Sequence, residues 1–157
     1  MKLIRIEDLK PLGESRRRSQ QIVIWTNGVF DLLHTGHVRS LQAARKHGDC
    51  LVVGINSDAS VRRLKPGRPI LPERDRAEML AALACVDYVV IFSSPDPCEC
   101  LELLRPDVLC KGAEYRDRVV SGAELVLGYG GRVEMLPMVA GASTTEVIER
   151  CKRTCEF

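Results

Sequence analysis

Short apolar runs alternate with amphipathic stretches along most of the chain. The runs Ile22-Val23-Ile24-Trp25-Thr26, Leu51-Val52-Val53-Gly54-Ile55, Tyr88-Val89-Val90-Ile91-Phe92, Val108-Leu109-Cys110 and Arg132-Val133-Glu134-Met135-Leu136 predict five strands. The middle ones are apolar on both faces, as a parallel sheet covered by helices demands. Between them the spacing changes to that of helices. Residues 36–47 put Val38, Leu41 and Ala44 on one face, and residues 74–84 do the same with Ala77, Leu80, Ala81 and Ala84. Residues 96–104, 122–129 and 143–153 supply three more helical patterns, with Gly130-Gly131 as a helix stop. Regular alternation of strand and helix predicts an α/β fold with a doubly wound, mostly parallel five-stranded sheet. One domain over residues 21–157 is expected. Residues 1–20 are expected to form an arm or broken helix, because Pro11 and Gly13 interrupt the pattern.

Composition narrows the classes. A chain of 157 residues can bury roughly 70% of its unfolded surface, so it needs neither a disulfide nor a structural metal for its core. The net charge of +2 gives no basic groove for a nucleic acid and no polybasic membrane patch. The one basic run, Arg16-Arg17-Arg18, reads as a solvated helix end. No apolar stretch approaches the ~20 residues of a membrane span. Lys2 is followed by Glu7 and Asp8 and not by a long apolar segment, so no signal peptide is expected and the cytoplasm is the expected location. Seven cysteines are an odd number with no CxxC pair, the nearest being Cys98/Cys100 and Cys151/Cys155. Scattered reduced thiols fit this better than zinc ligands or disulfides.

In a doubly wound sheet, ligands bind beyond the carboxyl ends of the strands. At the first such end stands Thr26-Asn27-Gly28-Val29-Phe30-Asp31-Leu32-Leu33-His34-Thr35-Gly36-His37. Gly28 permits a tight turn and close approach of a ligand to the backbone. Gly36 lies near a helix start, where free N–H groups and the positive dipole end favour an anion. His34 and His37, two of the three histidines, are spaced i, i+3 and can face one side. Zinc pairs on helices more often stand i, i+4 and no third ligand is near, so phosphate binding is the better reading.

Two further groups lie at carboxyl ends. Asn56-Ser57-Asp58 follows the second strand, and Arg62-Arg63-Leu64-Lys65-Pro66-Gly67-Arg68-Pro69 reads as a basic loop. From such a loop Lys65 can reach a triphosphate and offset charge on a leaving pyrophosphate, and Arg76 on the next helix can assist. Near the C-terminus, Gly141-Ala142-Ser143-Thr144-Thr145-Glu146 combines a Ser143/Glu146 capping box with three hydroxyls at a helix start. Capping alone explains the residues, and a second anion site is compatible with it.

GVFDLLHTGH resembles the signature of the HxGH nucleotidyltransferase superfamily, which includes cytidylyltransferases and several adenylyltransferases. From about Ile22 to Arg150 the chain resembles the heptose 1-phosphate adenylyltransferase family, the nucleotidyl half of the bifunctional enzyme of ADP-heptose synthesis. The resemblance is carried by TNGVFDLLHTGH, NSDASVRRLKPGRPILPERDRAEMLAAL, VDYVV, RPDVLCKGAEY, GAEL…YGG and GASTT. It implies a Rossmann-like HUP-type fold. It makes His34 and His37 triphosphate ligands and Lys65 and Arg76 phosphate ligands, with Ser143, Thr144 and Thr145 around the outer phosphates. Thr26, Asn27, Gly28, Val29, Phe30, Gly36, Lys111 and Gly112 line the nucleotide, and Asp31, Asn56, Asp58, Arg68 and Glu114 are candidate acceptor contacts. Ala113 and Glu114 replace a glycine and an aspartate usual in that family, which bears on nucleotide or sugar preference. The resemblance also implies ATP with Mg²⁺, a sugar phosphate acceptor and a homodimer. With no kinase domain in the chain, a stand-alone enzyme is expected.

The chemistry expected is attack of an acceptor phosphate oxygen on the α-phosphorus of NTP. A phosphate monoester is largely dianionic at pH 7, so no general base is required. The sequence holds no obvious Ser/His/Asp or paired-carboxylate arrangement, which agrees. Two alternatives stay open: a cytidylyltransferase acting on glycerol 3-phosphate or a related acceptor, and a non-catalytic nucleotide-binding regulatory module.

Overall fold

A computed structural model describes residues 2–112, 119–137 and 143–155, with the side chain of Cys155 outside that set. In chain order the elements are β1 (Leu3–Ile4), a 3-10 turn (Ile6–Asp8), α1 (Leu9–Arg18), β2 (Val23–Gly28), α2 (Thr35–Arg45), β3 (Cys50–Asn56), α3 (Asp58–Leu64), α4 (Glu73–Ala82), β4 (Tyr88–Phe92), α5 (Cys98–Leu104), β5 (Val108–Gly112), α6 (Ala123–Gly128), β6 (Arg132–Leu136) and α7 (Thr144–Cys155). The strands form one six-stranded sheet in the order β1-β4-β3-β2-β5-β6, and every pairing is parallel. The chain winds outward from β2 through β3 to β4, then returns to place β5 on the other side of β2. The switch point therefore lies between β2 and β5, where such sheets open a crevice for ligands.

Strand residues divide by parity between two apolar layers. Trp25, Val52, Val90, Phe92 and Leu109 pack with Leu9, Leu101, Leu104 and Val126 of α1, α5 and α6. Ile24, Leu51, Val53, Val89 and Val108 pack with Leu41, Ala44, Ala77 and Leu80 of α2 and α4. The amino ends of the strands are closed by a repeated device. Asp49, Asp87 and Asp107 each accept the N–H of a neighbouring chain segment on a carboxylate oxygen, from Ile22, Leu51 and Val23 at 2.8, 2.8 and 2.7 Å. Each aspartate N–H returns a bond to the carbonyl of that same residue. Gly130, at φ 91°, ends α6 as expected: its N–H bonds the Leu127 carbonyl and that of Gly131 bonds Val126, a Schellman closure.

Three expectations are corrected. The sheet has six strands instead of five, because Leu3–Ile4 adds to the edge of β4. Residues 9–18 form an unbroken helix: Pro11 falls in its first turn, where no intrahelical N–H is needed. Gly13 is the contact point of that helix, since a Cβ there would collide with the Leu104 carbonyl. Finally, Arg62-Arg63-Leu64 belongs to the last turn of α3, so the basic loop begins at Lys65. Ser57 starts that helix by accepting the N–H of Ser60 at 3.2 Å, a cap the sequence reading passed over.

Candidate active site

The turn from β2 into α2 carries the histidines. Phe30 and Leu32 both take φ 50°, a left-handed conformation uncommon outside glycine, and the chain doubles back so that His34 is the N-cap of α2. The imidazoles of His34 and His37 stack with centroids 3.7 Å apart, and Phe30 leans on His37 at 5.2 Å. Both Nδ1 atoms are buried and have no hydrogen-bond partner among the described residues. Burial pushes the His37 pKa down to about 4, helped by His34 and opposed by Asp31. Burial likewise lowers that of His34, with Glu146 opposing. Two neutral, stacked imidazoles thus stand at a helix start, poised to gain a proton or donate a hydrogen bond when an anion arrives.

The start of α7 is tied to this turn. Thr144 Oγ1 donates to the main-chain carbonyl of Asp31 at 2.8 Å. Ser143 and Glu146 form the expected capping box, with Glu146 N–H to Ser143 Oγ at 3.1 Å and Ser143 N–H to Glu146 Oε2 at 3.0 Å. Two helix amino ends therefore lie together, each contributing positive potential. Thr145 is exposed beside them.

On the other flank is the switch point. Lys111 Nζ, on β5, donates to Asn27 Oδ1 on β2 at 2.7 Å, and Trp25 Nε1 donates to the same oxygen at 3.2 Å. The fully buried Trp25 ring lies against Gly54. With its oxygen held by two donors, the Asn27 amide is fixed in one orientation. Trp25 was not foreseen in this place; its position two residues before Asn27 on one strand face was the available signal. Thr26 is buried within β2, Gly28 packs on the Phe30 ring, and Val29 offers its carbonyl to Arg76. Gly36 is buried in the first turn of α2, and Gly112 ends β5.

The remaining predicted residues separate into exposed and internal ones. Lys65 is exposed at the end of α3. Arg76 is fully buried, and its guanidinium donates to the carbonyls of Leu71, Val29 and Asn56 and to Asp58 Oδ1, at 2.6–3.0 Å. It braces four segments and faces protein acceptors instead of the open cleft. Asn56 is buried with Nδ2 on Ser60 Oγ. Asp31 is buried too. Its carboxylate takes Arg68 at 2.7 Å and the N–H groups of Ile70 and Leu71. Desolvation alone would raise its pKa, yet the two N–H donors and Arg68 outweigh it and hold the group below its usual value. Glu114, Ala113, Gly141 and Ala142 lie outside the described residues.

Among the described residues no three His, Cys, Asp or Glu side chains cluster as a metal cage. Two carboxylates of this region, Asp31 and Asp58, are engaged by Arg68 and Arg76. A surface cleft of about 460 Å³ runs between Asp58, Arg62, Pro72 and Asp75, along the outer side of α3 and α4. It does not border the histidines, and the chemistry, not the depth of the hollow, points to the histidine turn.

A parallel sheet with a histidine turn, two helix amino ends and a basic loop at its carboxyl edge defines a nucleotidyltransferase. Residues 25–150 match the family described as cytidylyltransferase-like, and the chain belongs to it. It is 54% identical over 145 residues to the bifunctional protein HldE of Syntrophotalea carbinolica, covering 92% of this chain and 30% of that protein. It is 47% identical over 152 residues to HldE of Helicobacter pylori, covering 96% and 32%. The chain thus spans about a third of the length of these curated relatives. Among solved structures, a lipopolysaccharide core biosynthesis protein from Thermoplasma volcanium matches with TM-score 0.61 and 29% identity, over 76% of this chain and 97% of that one. A pantoate-beta-alanine ligase from Francisella tularensis shares the fold alone, with TM-score 0.62 and 14% identity over 97% and 77% of the two chains. No described helix is long and apolar enough to cross a membrane.

Proposed function

We propose that this nucleotidyltransferase transfers AMP from ATP to D-glycero-β-D-manno-heptose 1-phosphate, giving ADP-heptose and pyrophosphate. The observation that carries the reaction type is the convergence of the stacked His34/His37 pair with the amino ends of α2 and α7, linked by Thr144 and Asp31. The substrate is supported by the likeness to bifunctional HldE proteins and to a lipopolysaccharide core biosynthesis protein.

In this reading the acceptor phosphate attacks the α-phosphorus in line. A new P–O bond forms while the bond to the β-phosphate oxygen breaks, and pyrophosphate leaves with that electron pair. Because the nucleophile is already an anion at pH 7, the protein has only to position and to stabilise charge. His34 and His37 donate to the triphosphate, Lys65 approaches the departing phosphates, and Ser143, Thr144 and Thr145 receive the outer oxygens. Lys111 and Asn27 line the nucleotide at the switch point. Mg²⁺ fits as an ion carried by the phosphates, since it commonly keeps waters and phosphate oxygens as ligands; when bound it neutralises triphosphate charge. A cytoplasmic homodimer working on small molecules, with no nucleic acid or membrane partner, completes the proposal.

The family's description, cytidylyltransferase-like, favours CTP as the nucleotide of a competing reading, for which glycerol 3-phosphate is the acceptor to try. Pyrophosphate release with Mg²⁺, crossing ATP, CTP and GTP against heptose 1-phosphate and glycerol 3-phosphate, separates them. Release with ATP and the heptose alone is expected. Release only with CTP and glycerol 3-phosphate overturns the substrate, and binding without release under every pairing points to a regulatory module.

A further inference from the structure

Asp31 lies between the histidine turn and the loop that begins at Lys65, and its carboxylate faces the loop. Oδ1 receives the N–H groups of Ile70 and Leu71, each at 3.1 Å. Oδ2 receives Ile70 again at 3.0 Å and the Arg68 guanidinium at 2.7 Å. A carboxylate has about four lone-pair sites, and these four contacts occupy them, leaving little with which to hold an acceptor molecule. The group is only 4% exposed, which removes it further from a diffusible ligand. Its main-chain carbonyl is engaged as well, by Thr144.

The same loop has a second brace. Arg76 Nε donates to the Leu71 carbonyl while one of its terminal nitrogens holds Val29, at the base of the histidine turn. Arg68 N–H closes a short turn onto the Lys65 carbonyl at 3.2 Å. Residues 68–71 are therefore fastened to the histidine turn, and exposed Lys65 projects from the end of the fastened segment.

We propose that Asp31 is a positioning residue whose carboxylate clamps residues 68–71 against the histidine turn and thereby sets where Lys65 stands relative to His34 and His37. This rests on reading Lys65 as a phosphate donor in nucleotidyl transfer. Asp31 then acts on the reaction through Lys65, and Arg68 acts through Asp31.

The test is a double-mutant cycle of Asp31→Asn with Lys65→Ala, read by steady-state pyrophosphate release with ATP and heptose 1-phosphate. It is joined to amide hydrogen exchange of Ile70 and Leu71 without substrate. Asp31→Asn should lower kcat by about tenfold or more at an unchanged acceptor KM, and by less than about twofold where Lys65 is already alanine. Exchange at the two amides should accelerate by about tenfold or more. Arg68→Ala removes the ion pair alone and should repeat the pattern at smaller size; it carries the cycle if Asp31→Asn does not fold. Equal penalties with and without Lys65, or a raised acceptor KM at normal kcat, overturn the proposal in favour of direct acceptor contact. If wild-type protein releases no pyrophosphate, the transfer reading falls by itself. The clamp is then decided by exchange, where unchanged rates at Ile70 and Leu71 overturn it.

Discussion

His34 and His37 stack at 3.7 Å with their ring planes 26° apart, and each keeps a buried Nδ1 without a partner among the described residues. Two aromatic cations at that distance would repel, so the pair is compatible with at most one proton until a negative ligand arrives. In the proposed transfer the pair would receive phosphate charge. His37→Ala is expected to cut kcat by about 100-fold, the usual cost of one preorganised donor, in a protein that still unfolds cooperatively. Near-normal turnover would remove His37 from the reaction.

The same burial predicts a pH dependence of stability. The folded pKa of His37 is about 4, below its ordinary 6.5, so the unfolded chain binds the proton more readily than the native one. Between those values stability rises with pH: the contribution is complete above about 6.5 and is lost as pH falls toward 4. The loss should be on the order of 2–3 kcal/mol. Urea unfolding from pH 4 to 7, with His37→Asn as control, checks this; the control should show a flatter profile. Nucleotide binding should also take up protons near pH 5–6, measurable by calorimetry in buffers of different ionisation enthalpy.

Arg76 tests a different expectation. As a surface phosphate ligand it would be removable without harm to the fold. Its complete burial and its bonds to Leu71, Val29, Asn56 and Asp58 predict otherwise. Arg76→Ala leaves three carbonyls and a carboxylate unpaired and should lower unfolding free energy by about 3–5 kcal/mol. Equilibrium denaturation is the measurement, and an unchanged midpoint would show that the clamp is dispensable.

What the sequence revealed follows from the range of the forces involved. The continuous apolar runs of β2, β3 and β4 and the glycine-histidine turn are local signals, and they located the sheet and its binding edge. The Ser143/Glu146 capping box was equally local and forms as read. The clamp of Asp31 on Ile70 and Leu71 joins residues about forty positions apart, and no local pattern announces it. Arg76 reads in the sequence as a phosphate ligand because nothing local distinguishes an outward from an inward arginine; only the packing of α4 against β3 and the histidine turn turns it inward. The two-residue strand Leu3–Ile4 was too short for periodicity to register and exists through its pairing with Val89 and Val90.

Gly54 supports the switch-point crevice indirectly. A Cβ at this position would run into the Trp25 ring, whose Nε1 helps hold Asn27 Oδ1. Gly54→Ala should therefore cost about 1–3 kcal/mol of stability through overpacking. It should also weaken nucleotide binding, because a displaced Trp25 releases one of the two donors that orient the Asn27 amide. Thermal unfolding and an ATP titration on the same sample separate the two effects; loss of stability with intact ATP affinity would detach Trp25 from the site.

The cysteines give the last prediction. Cys50, Cys100 and Cys110 are buried in the two apolar layers, and burial drives their thiol pKa values up to about 11, 12 and 12. The thiolate is the form that attacks electrophiles and binds metals, so these three should be inert in the folded protein. Cys151 instead lies exposed on α7, open to reagent. Brief treatment with iodoacetamide at pH 8 should label Cys151 well ahead of the buried three, which should react only after denaturant is added. Peptide mass spectrometry reads the order directly. Rapid labelling of Cys110 in native protein would mean that β5 opens far more readily than its place between β2 and β6 allows, and the Lys111–Asn27 contact at the switch point would open with it.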